Sequence, residues 1–207
     1  MERQRYYERI FINCPFDRTY KPLLDAIVFA VFDCGFVACC ALDEDDGSKI
    51  RVQKIYDLIS NCRLGIHDLS RVTLDRGSRL PRFNMPLELG AFLGAKYFGS
   101  NQQRQKACLI LDSEKYRYQK FISDIAGQDI RAHGNDPRIL ISMIRNWLRS
   151  YSGTSIPGGS VIWQRYKTFQ SELPLLCREL QLNKNDLIYR DYVLLVSTWL
   201  KFNYRAG

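Results

Sequence analysis

The sequence predicts an α/β fold: a doubly wound, parallel five-stranded sheet followed by a C-terminal helical hairpin. Three observations lead there. Short β-rich runs alternate with longer stretches whose apolar residues recur at helical spacing. Each strand-like run is almost continuously apolar, as strands covered on both faces are. Parallel strands joined by helices must cross over right-handedly, which forces a wound layer of helices.

Taken in order, Arg9 to Asn13 is the first strand, stopped by Cys14-Pro15-Phe16-Asp17. From Tyr20 to Cys34, Leu23, Leu24, Ile27, Val28, Val31 and Phe32 keep helical spacing, and Gly35 closes the helix as a C-cap. Phe36 to Leu42 is the second strand, followed by the acidic loop Asp43 to Gly47 and a helix carrying Ile50, Ile55, Leu58 and Ile59 on one side. Cys62 to Asp68 is strand three. A polar, Arg-rich loop from Leu69 to Phe83 leads into a helix from Met85 to Phe98, with Asn84 as its expected N-cap and Pro86 in its first turn. Lys106 to Asp112 and Gln128 to Ala132 are strands four and five, and Pro137 to Arg149 is a helix with Asp136 as N-cap. Ser152 to Ser160 reads as a linker by its Gly, Ser and Pro content. Beyond it lie two helical patterns, Trp163 to Leu180 and Asp186 to Phe202. The expected organisation is therefore an α/β domain over 1–151, a linker over 152–160 and a helical extension over 161–207.

Composition narrows the class. The 207 residues are 46% hydrophobic and 25% charged, ordinary for a globular chain able to build a sizeable core. No apolar run reaches the roughly 20 residues of a membrane span, and the N-terminus has no signal-peptide core, so a cytoplasmic protein without a membrane partner is expected. Seven cysteines form an odd set without CxxC pairs, which excludes a disulfide scaffold. With two histidines, no ordinary His-rich zinc site is expected, and His67 and His133 read as hydrogen-bonding groups at strand ends. Asp43 to Asp46 lacks the spacing of a calcium-binding EF-hand loop. The net charge of +8 is the unusual value. It invites a polyanionic partner, but no nucleic-acid-binding motif accompanies it. There is no P-loop and no GxGxxG after a strand. A cysteine phosphatase would need Arg five residues beyond Cys14 plus one, where Tyr20 stands.

In an open wound sheet, ligands bind beyond the carboxyl ends of the strands. That rule selects Asn13, Pro15, Phe16 and Asp17 after strand one, Asp68, Ser70 and Arg71 after strand three, and Arg82, Asn84 and Glu88 at the start of the next helix. Glu88 is the leading candidate. It is flanked by Leu87, Leu89, Ala91 and Phe92, so it is either a helix-dipole partner at an exposed corner or a carboxylate held at a cleft wall. Asp68 is the natural second acidic group, or a loop cap. Arg71, Arg76, Arg79 and Arg82, with Arg18 after strand one, offer donors for a pyrophosphate, each with solvent exposure as its alternative. Phe16 and Tyr20 could stack on a base or belong to the core.

The runs Phe11-Ile12-Asn13-Cys14-Pro15-Phe16-Asp17, Gly65-Ile66-His67-Asp68-Leu69-Ser70 and Asn84-Met85-Pro86-Leu87-Glu88-Leu89-Gly90 resemble bacterial TIR-like proteins (Toll/interleukin-1 receptor-like) and the related nucleoside 2-deoxyribosyltransferase-like group. The resemblance covers about residues 8–150. It implies a flavodoxin-like sheet with a Glu, here Glu88, on the helix after strand three, working on an N-glycosidic bond. The implied activity is cleavage or transfer at that bond of NAD or a related nucleotide. NAD is then substrate, with no resident cofactor and no metal. A role in antiphage defence, and a homo-oligomer or activating partner that completes the site, are implied as well. For that assembly the hairpin offers Trp163, Tyr166, Phe169, Leu173, Leu176, Tyr192, Leu195, Trp199 and Phe202, unless these side chains bury themselves within the chain. Two other readings stand beside this one: a non-catalytic nucleotide sensor in which Glu88 binds ribose hydroxyls, and a nucleic-acid-associated protein using its basic surface.

Overall fold

A computed structural model describes residues 6–43, 46–71 and 83–204. It contains strands β1 (Arg9–Asn13), β2 (Val37–Cys39), β3 (Leu64–Asp68), β4 (Ala107–Asp112) and β5 (Ile130–Ala132). The principal helices are α1 (Lys21–Asp33), α2 (Arg51–Asn61), α3 (Asn84–Phe98), α4 (Pro137–Leu148), α5 (Gly159–Glu179) and α6 (Tyr189–Tyr204). All strand pairs are parallel, in the order β2-β1-β3-β4-β5. That is the flavodoxin-like order, in which the strand order reverses at the β1/β3 switch point.

Two compact units divide the chain. The first, Met1–Lys21 with Val37–Asp136, holds the whole sheet, α2 and α3. Register fixes which side chains share a face: Phe11 lies opposite Cys39 and Gly65, and Gly65 opposite Cys108. Because side chains alternate along a strand, Phe11, Gly65 and His67 share one face with Asn13. On that face Phe11, Cys39, Ile55, Ile59, Cys62 and Phe92 form one apolar cluster, which binds α2 and α3 to the sheet. A second cluster joins Leu69, Met85, Leu89, Ile110, Tyr118 and Ile125. The alternate residues Ile10, Ile12, Leu64, Ile66, Leu109 and Leu111 are buried too, so β1, β3 and β4 are buried on both faces, as their sequence predicts.

Gly65 is required by close approach. A Cβ there would stand 2.6 Å from His67 Nε2 and 2.9 Å from a Phe92 ring carbon. Beneath the same ring lies Lys106, buried, its Nζ 4.6 Å from the Phe92 centroid and donating to the carbonyls of Ile59 and Cys62 at the end of α2. Burial pushes its ammonium down to about 8.

The second unit, Pro22–Phe36 with Pro137–Gly207, is helical. Gly35, at φ 88°, ends α1 as expected, and the Phe36 N–H returns to the Val31 carbonyl. Phe29 packs against Tyr166, Phe169 and Trp199, with ring centroids 5.4, 5.5 and 6.0 Å away. Tyr192 donates to the Asp25 carbonyl, Trp199 Nε1 to Glu172, and Arg165 to Asp33. Tyr166, Phe169, Leu173, Tyr192, Leu195 and Trp199 are thus buried, whereas Phe202 is exposed. The proposed assembly face of the hairpin is mostly interior, because its aromatic stripe has α1 to pack on.

Several boundaries move for identifiable reasons. Strand two ends at Cys39, since Asp43 accepts from the Cys40 N–H and donates back to the Cys40 carbonyl, turning the chain out of the sheet. Asn84 is the first helical residue of α3, and Phe83 holds the cap position without a side-chain hydrogen bond. The Gly/Ser/Pro stretch is shorter than expected because α5 already starts at Gly159. Ile156 is buried, and Arg145 donates to the Pro157 and Ile156 carbonyls, so the connection is anchored. No helix among the described residues is long and apolar enough to cross a membrane.

Candidate functional site

The carboxyl ends of β1 and β3 carry the polar residues, and alternation sends neighbours to opposite faces. His67 turns toward α3. Its Nδ1 meets Asn13 Nδ2 at 3.0 Å, and the same amide donates to the Met85 carbonyl at 2.8 Å. Asn13 thereby ties the first turn of α3 to β1. His67 Nε2 is buried and has no hydrogen-bond partner among the described residues. Burial, with Lys106 nearby, pushes the imidazole down to about 3, so the ring is neutral.

Asp68 turns the other way and is completely buried. Its Oδ2 accepts from the Tyr20 hydroxyl at 2.5 Å and its Oδ1 from the Ser70 N–H at 2.8 Å. His133 Nε2 stands 2.9 Å from Oδ2, at ion-pair distance but poorly aligned for a hydrogen bond. The Asn135 N–H donates to His133 Nδ1, which places the ring proton on Nε2, facing the carboxylate. Burial alone would raise the Asp68 carboxyl, yet His133, Ser70 and Tyr20 together hold it below the usual range. Asp68 is therefore a clasp joining the ends of β1, β3 and β5. Tyr20 belongs to this buried clasp.

Asp17 caps its own turn, accepting from the Thr19 hydroxyl at 2.5 Å and from the Thr19 and Tyr20 N–H groups. Burial acts against the Asp17 anion, but these hydrogen bonds and Arg71 keep its carboxyl low. Arg71 donates to the Thr19 hydroxyl at 2.5 Å. Pro15 is buried and Phe16 is 36% exposed. Ser70 is buried beside Asp68 and helps hold its carboxyl low. Arg76, Arg79 and Arg82 lie outside the described residues.

Glu88 sits one turn into α3, on the His67 side of the sheet. With Asn84, Leu87 and Ala91 from α3, and Arg51, Val52, Ile55 and Tyr56 from α2, it lines a groove of about 220 Å³. Burial raises its carboxyl to about 7, opposed by the Arg51 guanidinium. It makes no hydrogen bond or ion pair with any described residue. Among the residues expected at the site, Asn84 and Glu88 thus share one groove. Asn13 supports it from below, whereas Asp68 and Ser70 belong to the separate clasp. Arg51 and Tyr56 were not anticipated: the strand-end rule points to loops, and these two residues lie within α2. No group of three or more His, Cys, Asp or Glu among the described residues is arranged to hold a metal ion.

Compared with known protein families, curated proteins and solved structures, the chain matches none.

Proposed function

We propose that the chain cleaves or transfers at the N-glycosidic bond of NAD or a related nucleotide, with Glu88 as the catalytic carboxylate. The observation that carries this reading is Glu88 itself: a carboxylate with no hydrogen bond or ion pair among the described residues, set in an apolar groove beside the carboxyl ends of the strands and raised to about 7. Breaking a ribosyl C1'–N bond develops positive charge on the sugar, which a desolvated anion stabilises far better than water does. In hydrolysis of NAD, the bond's electron pair leaves on the nicotinamide nitrogen, which becomes neutral. Water then forms the new bond to C1' and releases a proton, for which Glu88 is an acceptor. A cationic pyridinium in the groove favours the ionised carboxylate, so substrate binding itself prepares the anion.

The test is incubation of the chain with NAD, followed by chromatography for nicotinamide, ADP-ribose and cyclic products, for wild type and Glu88→Gln. Product from the wild type alone is expected. Equal product from both variants would remove Glu88 from the chemistry. A second reading, a non-catalytic nucleotide sensor, is favoured by one observation: among the described residues Glu88 is the single carboxylate lining the groove, Asp68 being committed to its clasp. It predicts saturable binding and a raised melting temperature without turnover. An antiphage role rests on the TIR-like resemblance and follows only if nucleotide turnover is found.

A further inference from the structure

Glu88 and Arg51 line one groove from different helices, α3 and α2. They bear opposite charges, and the cation acts on the carboxylate through space. They nevertheless form no ion pair, so a gap wider than contact distance remains between them. Arg51 is exposed and donates no hydrogen bond to any described residue. Tyr56, 48% exposed, and Val52, 43% exposed, line the wall around it, with Leu87, 65% exposed, across from them. Of the cations near strand ends in this unit, Arg71 reaches Thr19 and Arg117 pairs with Asp112 and donates to the Leu69 carbonyl, whereas Arg51 faces the groove. A pocket of about 220 Å³ lies below the roughly 300–1,000 Å³ typical of whole drug-sized ligands. It therefore takes part of a nucleotide.

We propose that Arg51 is the phosphate anchor of this groove, holding the phosphate of a bound nucleotide while its ribose lies against Glu88 and the Tyr56 ring forms the apolar wall between them. This rests on the reading of the groove as a nucleotide site. The chemistry is specific to a ligand with a negative group a short distance from a sugar. A guanidinium offers a planar fork of donors that matches phosphate oxygens in pairs, which a lysine ammonium does not reproduce. An anion against Arg51 also offsets a cation that opposes protonation of Glu88, so phosphate occupancy and the charge on Glu88 are linked.

The experiment measures dissociation constants of the full chain for NAD and for nicotinamide riboside, which has the same reacting bond and no phosphate. The comparison uses wild type, Arg51→Gln and Arg51→Lys. Arg51→Gln is expected to weaken NAD by about tenfold or more, leaving the riboside within about twofold, and Arg51→Lys to recover part of the loss. Arg51 is a surface side chain, so unchanged melting temperatures are expected in both variants. Unaltered NAD affinity in Arg51→Gln would overturn the assignment. An equal loss for both ligands would overturn it too, because Arg51 would then act through Glu88 and not through phosphate. If wild type binds neither ligand, the nucleotide reading of the groove itself fails, a result distinct from the other two.

Discussion

Glu88 and His67 are displaced from their ordinary ionisation in ways that have opposite consequences for stability. The folded Glu88 holds its proton up to about pH 7, above its unfolded value of 4.5. Its favourable contribution is complete below pH 4.5 and is lost as pH rises through 7. Glu88→Gln is therefore expected to match wild type near pH 4.5 and to gain roughly 1–2 kcal/mol at pH 8, a value discounted for partial exposure. Thermal melts at the two pH values check this, and a gain at both would mean that the carboxylate is not strained by burial. The same substitution should lower N-glycosidic turnover on the order of 10²–10³-fold, as removal of an electrostatic stabiliser does. The proposed reaction uses the Glu88 anion, so in wild type kcat/KM should rise with pH through about 7. At Gly65 the prediction is steric. Gly65→Ala drives a methyl into His67 and Phe92, and overpacking of this kind costs about 1–3 kcal/mol, read as a lower urea midpoint with an unchanged slope.

At the scale of elements, the site depends on how α3 is seated. One amide, Asn13 Nδ2, joins β1, the His67 ring on β3 and the Met85 carbonyl in the first turn of α3. Asn13→Ala leaves buried groups unpaired, at a cost of about 1–3 kcal/mol. Because Glu88 is three residues beyond Met85, turnover should fall with stability; an active but destabilised variant would show that α3 does not need this tie. Much of this arrangement is legible in the sequence. The apolar runs specify parallel strands, Gly35 specifies the end of α1, and the apolar surroundings of Glu88 mark it as unusual. The opposed directions of His67 and Asp68 also follow from strand alternation once β3 is placed, since adjacent residues cannot share a face. Three features are not legible. Strand two is cut short by a turn that depends on Asp43 reaching back to Cys40. Arg51 and Tyr56 meet Glu88 only because α2 and α3 pack side by side, a contact between segments more than 30 residues apart. The Asp68 clasp needs His133, which no local pattern links to β3.

For the whole molecule, charge and pH behaviour are the accessible measurements. His67, held down to about 3, stays neutral in the fold while the unfolded chain takes up a proton below about 6.5, so its stabilising effect is present above 6.5 and lost as pH falls. Asp68 and Asp17, both lowered, add to the loss below their ordinary value of 3.8. Urea midpoints across pH should thus trace a dome with an acid limb from His67, Asp68 and Asp17 and an alkaline limb from Glu88. His67→Gln should flatten the upper part of the acid limb; an unchanged limb would place the acid sensitivity elsewhere. The net charge of +8 makes one further expectation: affinity for a DNA or RNA duplex that falls steeply with salt and is unaltered in Glu88→Gln. Binding that persists at high salt would instead reveal base recognition by the chain.

The helical unit joins two segments separated by the whole sheet-bearing stretch Val37–Asp136, and this has a consequence for synthesis. Asp25 finds its partner Tyr192 167 residues later, and Phe29 waits for Tyr166, Phe169 and Trp199. α1 leaves the ribosome well before α5 and α6 and keeps Phe29 uncovered until they follow, a long-range closure of the kind that folds slowly and invites aggregation meanwhile. A chain stopped after Tyr151 would carry that exposure permanently. It should therefore accumulate as insoluble or chaperone-bound material, even though it contains β1 to β5 and every described residue that lines the Glu88 groove.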